Sequence, residues 1–257
     1  MDATILTIFG ICFIFFMTCL GASLIFFAKK EKRRERPFLS NLCGGIMLAS
    51  SFFSLLLPAI SSTENYGVLS FLPVCVGFVF GAVFMWVLDL LLNKTKNGSA
   101  FQGKRLSKNQ KIFIAISLHN IPEGLSVGVA LGTAFMGLGT LSMLSAVSLA
   151  VGIGIQNIPE GFAVAQPAFE MHGSKPKAFL NGVFSGVVEP IFAVLGFFLS
   201  YAFIAVLPWF LAFAGGSMIF TIISELMTEN EQNKSDMAIW GFVVGFVIMM
   251  LLDVAFG

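Results

Sequence analysis

The run HNIPEG begins at His119, and a near copy, QNIPEG, begins at Gln156. His119 and Glu123 are four residues apart, as are Gln156 and Glu160. Residues at that spacing share one face of a helix. Asn120 and Asn157 follow one position on, turned by about 100° on a 3.6-residue turn. One imidazole, several carboxylates and side-chain amides make a donor set suited to borderline divalent ions such as Zn²⁺, Fe²⁺ and Mn²⁺. If the two copies meet, two ions can be held. The first would take His119, Glu123, Gln156 and Glu160, and the second Asn120, Asn157, Glu189 and the same two glutamates. Because the ligands must be deprotonated, ion binding should compete with protons.

Six carboxylates, Asp89, Glu123, Glu160, Glu189, Glu225 and Asp253, fall inside apolar runs that contain no Lys or Arg. A charge at the centre of a bilayer costs roughly 2.5–3.5 kcal/mol on insertion scales, so each of these carboxylates must be protonated, reach water near a helix end, or face a bound cation. Glu123, Glu160 and Glu189 lie deep. Asp89 and Asp253 lie near the ends of their runs and read as interfacial. Pro122 and Pro159 remove backbone donors and free the carbonyls of Leu118 and Ile155, a kink tolerated in lipid where it faces protein or a watered cavity. His172 lies in the polar stretch FEMHGSKPK and reads as a solvated loop residue. Cys12, Cys19, Cys43 and Cys75 are scattered through apolar segments and read as small hydrophobic filler.

The elements that must position these residues are membrane helices. The chain is 57% hydrophobic and 11% charged, against about 25% charged in a soluble domain, so a water-facing globule is excluded. The net charge of +1 and the lack of a basic, aromatic-lined patch exclude nucleic acid as a partner. A span needs about 20 apolar residues, and eight runs qualify, at 3–28, 40–60, 68–92, 112–135, 141–168, 178–200, 204–227 and 236–256. The first is too long for a signal-peptide core and is read as a retained helix. All 15 Lys and Arg fall after the first, third, fifth and seventh runs, which places those loops in the cytoplasm and both termini outside. The two motif helices are consecutive and antiparallel, so a pseudo-two-fold axis in the membrane plane can bring both copies to one depth.

These motifs carry a family resemblance. HNIPEG and QNIPEG resemble the signature pair of the ZIP (Zrt/Irt-like) divalent metal transporters, bacterial zinc-uptake type. SGVVEP around Glu189, LASSFFSLLLPA (48–59) and GGSMIFTIISELMTE (215–229) resemble further motifs of the same family. The resemblance covers essentially the whole chain, 1–257, as one transmembrane domain. It implies an all-α integral membrane protein of eight spans in a 3+2+3 inverted-repeat arrangement. It implies import of Zn²⁺, with Fe²⁺, Mn²⁺ and Cd²⁺ as further substrates, into the cytoplasm without ATP. It implies a multi-pass protein of the bacterial cell membrane, often a homodimer, with no cofactor beyond the transported ion. The family's binuclear centre corresponds to His119, Asn120, Glu123, Gln156, Asn157, Glu160 and Glu189, and Glu225 and Asp89 would be way stations for the ion. Many relatives have histidine where Gln156 stands, and a glutamine carbonyl is a weaker zinc ligand than imidazole. The family's histidine-rich cytoplasmic loop is absent from the basic linker at 93–111.

Three other classes fit less well, one of them a purely structural membrane protein with a buried metal. An intramembrane zinc enzyme would want a HExxH-type pair and three firm ligands, and the apolar runs contain one histidine. A proton-coupled carrier of another cationic solute would use the same carboxylates with a pocket for an organic ion. The chain is therefore expected not to be an enzyme.

Overall fold

The computed structural model describes residues 2–28, 36–94, 108–138, 141–227 and 236–256. Most of the basic runs in the sequence, including Lys234, and the side chain of Glu225 lie outside the described residues.

Among the described residues the fold is entirely helical. In chain order the α-helices are α1 (Ala3–Ser23), α2 (Arg36–Ser50), α3 (Leu57–Ser61), α4 (Phe71–Lys94), α5 (Lys108–Phe135), α6 (Met143–His172), α7 (Lys175–Gly186), α8 (Val188–Phe198), α9 (Ser200–Phe203), α10 (Leu207–Thr221) and α11 (Asp236–Phe256). A wider π-helical stretch, Ser51–Leu56, joins α2 to α3, and a second, Ile222–Met227, continues α10. Such π-turns recur at functional positions.

Seven stretches are long and apolar enough to cross a membrane by length and composition: Ala3–Phe26, Asn41–Ser61, Tyr66–Leu91, Met143–His172, Lys175–Phe198, Leu207–Ser224 and Asp236–Ala255. The sequence counts eight, and the difference is α5. Its apolar run is interrupted by His119, Asn120, Pro122 and Glu123, and its residues Ile116, Val127, Val129, Ala130 and Leu131 are buried in the bundle. The outward faces are apolar instead, with Phe16, Phe80, Phe184, Trp240 and Leu251 exposed. Apolar outside and carboxylate inside is the arrangement expected where the solvent is lipid.

Four helix pairs pack most extensively: α1 with α6, α5 with α8, α2 with α11, and α4 with α10. Without a hydrophobic drive between helices in lipid, close backbone approach through small residues is what holds such pairs. In the first pair Gly21 meets the carbonyl of Ile158 and Gly161 that of Thr18. In the second, Gly128 meets the carbonyl of Ala193 and Gly196 that of Leu125. Two apolar cores flank the middle of α1 and α6. Ile14, Ile153 and Leu131 belong to one, and Ala22, Phe162 and Ala165 to the other.

Candidate metal centre

Thr18 on α1, and Gln156 and Glu160 on α6, lie between those two cores in sequence. The polar cluster is thus enclosed by apolar packing. His119, Asn120, Glu123, Gln156, Asn157, Glu160 and Glu189 are each no more than 1% exposed. α5 and α6 run on through Pro122 and Pro159 as continuous helices. Glu189 is placed differently. Only Val187, itself in the right-handed helical region, separates α7 from α8, and Glu189 sits in the first turn of α8. Gly124 lets α5 approach the backbone of Glu189 directly, since a Cβ would overlap the Glu189 carbonyl.

The pairing is crosswise. His119 Nε2 lies 3.3 Å from Glu160 Oε2 on the other motif. Gln156 Nε2 donates to Glu123 Oε1 at 2.8 Å, again across helices. Each copy of the motif therefore partners the carboxylate of the other, as a pseudo-two-fold relation requires. Asn120 Nδ2 donates to Glu189 Oε1 at 3.0 Å, and Asn157 Nδ2 to Glu189 Oε2 at 2.6 Å. A carboxylate can only accept, so both amides turn their nitrogens to Glu189 and their oxygens elsewhere.

What is left over is informative. Among the described residues, His119 Nδ1, Glu123 Oε2, Glu160 Oε1, Asn120 Oδ1 and Asn157 Oδ1 are buried with no hydrogen-bond partner. Buried polar groups are normally paired, and an unpaired buried carboxylate costs several kcal/mol. Four of these five atoms are oxygens that can only offer electron pairs, and the fifth is an imidazole nitrogen. A cation satisfies such a set, because every one of these atoms offers it an electron pair. Ligand atoms of His119, Glu123 and Glu160 lie within 4.8 Å of one another, close enough for a single ion. Glu189, with Asn120 and Asn157, forms the adjoining group.

Among the described residues, the metal-competent group of His119, Glu123 and Glu160 takes in none of the other residues singled out in the sequence. Asp89 is part-buried on α4. Glu225 falls in the second π-helical stretch, and its side chain is outside the described residues. His172 is exposed but belongs to the last turn of α6, not to a loop. Among the described residues the metal-competent cluster contains no cysteine.

Three hydroxyls and one carboxylate were not singled out as site residues in the sequence. Thr18 Oγ1 donates to Glu189 Oε1 at 2.7 Å. Ser50 Oγ donates to Gln156 Oε1. Ser54, one turn beyond Ser50, donates to Asp253 Oδ1 at 2.6 Å. Asp253, read as interfacial, lines a cavity of about 550 Å³ with Ser54, Ser61, Ser62, Ser145 and Ser148. Its Oδ2 has no hydrogen-bond partner among the described residues. Cavity, Asp253, Ser54, Ser50 and Gln156 thus follow one another toward the cluster.

Comparison with known proteins agrees with this chemistry. Residues 108–253 match the family described as ZIP Zinc transporter. The chain is 30% identical to human "Zinc transporter ZIP11", over 96% of each chain. It is 32% identical to "Zinc transporter GufA" of Myxococcus xanthus, over 93% of this chain and 94% of that one. It is 30% identical to "Zinc transporter ZIPB" of Bordetella bronchiseptica, over 95% of this chain and 79% of that one.

Proposed function

Because the chain belongs to the ZIP zinc transporter family, we infer that it carries Zn²⁺ across a membrane through the cluster between α5, α6 and α8. It is a multi-pass membrane transporter, not an enzyme. Fe²⁺, Mn²⁺ and Cd²⁺ are further substrates of the same oxygen- and imidazole-rich site. His119, Glu123, Gln156 and Glu160 hold one ion, and Asn120, Asn157 and Glu189 hold a second, with Glu123 and Glu160 shared between them. The observation that carries this reading is the set of five unpartnered electron-pair donors buried beside three carboxylates.

The whole chain, 1–257, works as one transmembrane unit. α5 is its eighth span; 28 residues at about 1.5 Å each exceed the roughly 30 Å hydrocarbon core. The spans form a 3+2+3 inverted repeat, with both termini outside, in a bacterial cell membrane. The one-sided distribution of Lys and Arg supports that orientation, with import toward the cytoplasm. Homodimerisation and way stations at Glu225 and Asp89 belong to the same proposal. Uptake of Zn²⁺, Fe²⁺, Mn²⁺ and Cd²⁺ into proteoliposomes without ATP tests it. Flux of zinc is expected, and none of the four ions entering would overturn the reading.

The cavity at Asp253 opens at the end of the bundle that this orientation places outside. A carboxylate in a low-dielectric recess concentrates cations. Asp253→Asn is expected to raise KM for zinc about threefold to tenfold at low salt with turnover unchanged, and the effect should shrink as ionic strength rises. An unchanged KM removes Asp253 from the route. Gln156→His replaces a neutral oxygen by imidazole, with Ser50 available to the second ring nitrogen. Zinc binding measured by calorimetry should tighten roughly tenfold, about 1.4 kcal/mol, and unchanged affinity would argue against Gln156 as a ligand.

A further inference from the structure

Serine and threonine inside a helix usually return their hydroxyl to a carbonyl of their own helix. Thr7 does so to Ala3, and Ser51 to Met47 at 2.8 Å. Two fully buried hydroxyls depart from this habit and reach the metal cluster, each from a helix that supplies it with no ligand. Ser50, beside Ser51 on α2, donates to Gln156 Oε1. Thr18 on α1 has one proton and two acceptors in reach. The Ile14 carbonyl lies at 3.3 Å and Glu189 Oε1 at 2.7 Å. The shorter contact, to a carboxylate, is the stronger, so the proton serves Glu189.

The two hydroxyls act on different halves of the cluster. Ser50 touches only the group around His119, Glu123 and Glu160, through Gln156. A carbonyl oxygen has two lone pairs, so holding one leaves the other for an ion. Thr18 touches only the group around Glu189, whose remaining donors are the amides of Asn120 and Asn157. Partners that orient a metal ligand govern affinity nearly as strongly as the ligand does.

We propose that Thr18 and Ser50 are positioning residues that set the affinities of the two ions separately, Ser50 for the ion at His119 and Thr18 for the ion at Glu189. The proposal rests on the two-ion site inferred above. Thr18 becomes a determinant of how firmly the second ion is held, and Ser50 of how well a neutral glutamine serves where imidazole would bind more strongly.

The test is a zinc titration of the full-length protein in nanodiscs by calorimetry. His119→Ala and Glu189→Ala mark which binding event belongs to which ion. Thr18→Val, which keeps the shape and removes the hydroxyl, is expected to weaken the Glu189 event about tenfold or more while shifting the other less than about twofold. Ser50→Ala is expected to do the reverse. Thr18→Ser and Ser50→Thr, which keep a hydroxyl, should restore both events. A purely structural role would not produce this crossover. Equal shifts of both events in both variants, or no shift in either, overturns the proposal. Two intact events in His119→Ala and Glu189→Ala overturn the site itself, a failure distinguishable from that of the hydroxyls.

Discussion

Glu160→Ala is expected to reduce zinc uptake by proteoliposomes at least roughly a hundredfold, beyond the 10- to 100-fold typical for loss of a ligand's orienting partner. Glu160 is 0% exposed, is the partner of His119 at 3.3 Å, and offers a second oxygen that nothing else pairs. Alanine removes both oxygens at once and leaves the His119 ring without its acidic partner. Glu123→Ala should behave alike, because Glu123 pairs with Gln156 and keeps Oε2 unpartnered. In the two-ion site proposed above both carboxylates are shared between the ions, so either loss should abolish both zinc-binding events. Undiminished zinc, iron and manganese flux in both variants would sink the site assignment. Glu160→Gln separates charge from shape. It keeps the volume but loses the anion, and uptake should fall nearly as far, because a neutral amide does not balance a buried divalent ion.

The second large effect comes from a residue with no polar atom in its side chain. A Cβ on Gly161 would overlap the backbone carbonyl of Thr18, and the reciprocal Gly21 faces the carbonyl of Ile158. These neighbours are backbone and cannot rotate aside, so Gly161→Val must push α1 away from α6. Overpacking of this kind costs about 1–3 kcal/mol. The effect on transport should be larger than the effect on stability. Separation of α1 draws Thr18 from Glu189 next to Glu160, and a displacement of about 1 Å in a positioned site can cost roughly a hundredfold in rate. Gly10→Ala is the control. Its nearest obstacle is a Leu131 methyl at 2.9 Å, the far end of a flexible side chain, and uptake should stay close to wild type. Gly161→Val with wild-type uptake and wild-type melting would show that α1 and α6 do not meet as described.

The identity of the cluster was legible in the sequence because lipid makes polarity conspicuous. His119, Glu123, Gln156, Glu160 and Glu189 stand out as unaffordable residues in apolar runs, and the doubled NIPEG ties two helices to one purpose. The i, i+4 spacing put each histidine or glutamine beside the glutamate of its own helix, and composition alone fixed a helical membrane protein. Spacing along one helix cannot tell which partner lies across from it. The tertiary structure decided that pairing is between copies, His119 with Glu160 and Gln156 with Glu123. It also decided that Glu189 is held by a hydroxyl from α1, and Gln156 by one from α2. No pattern marks Thr18 in advance, and the motif at 48–59 does not single out Ser50 among its serines. A buried hydroxyl that serves its own helix and one that serves a distant side chain are spelled alike, and only the packing of five helices around one point separates them.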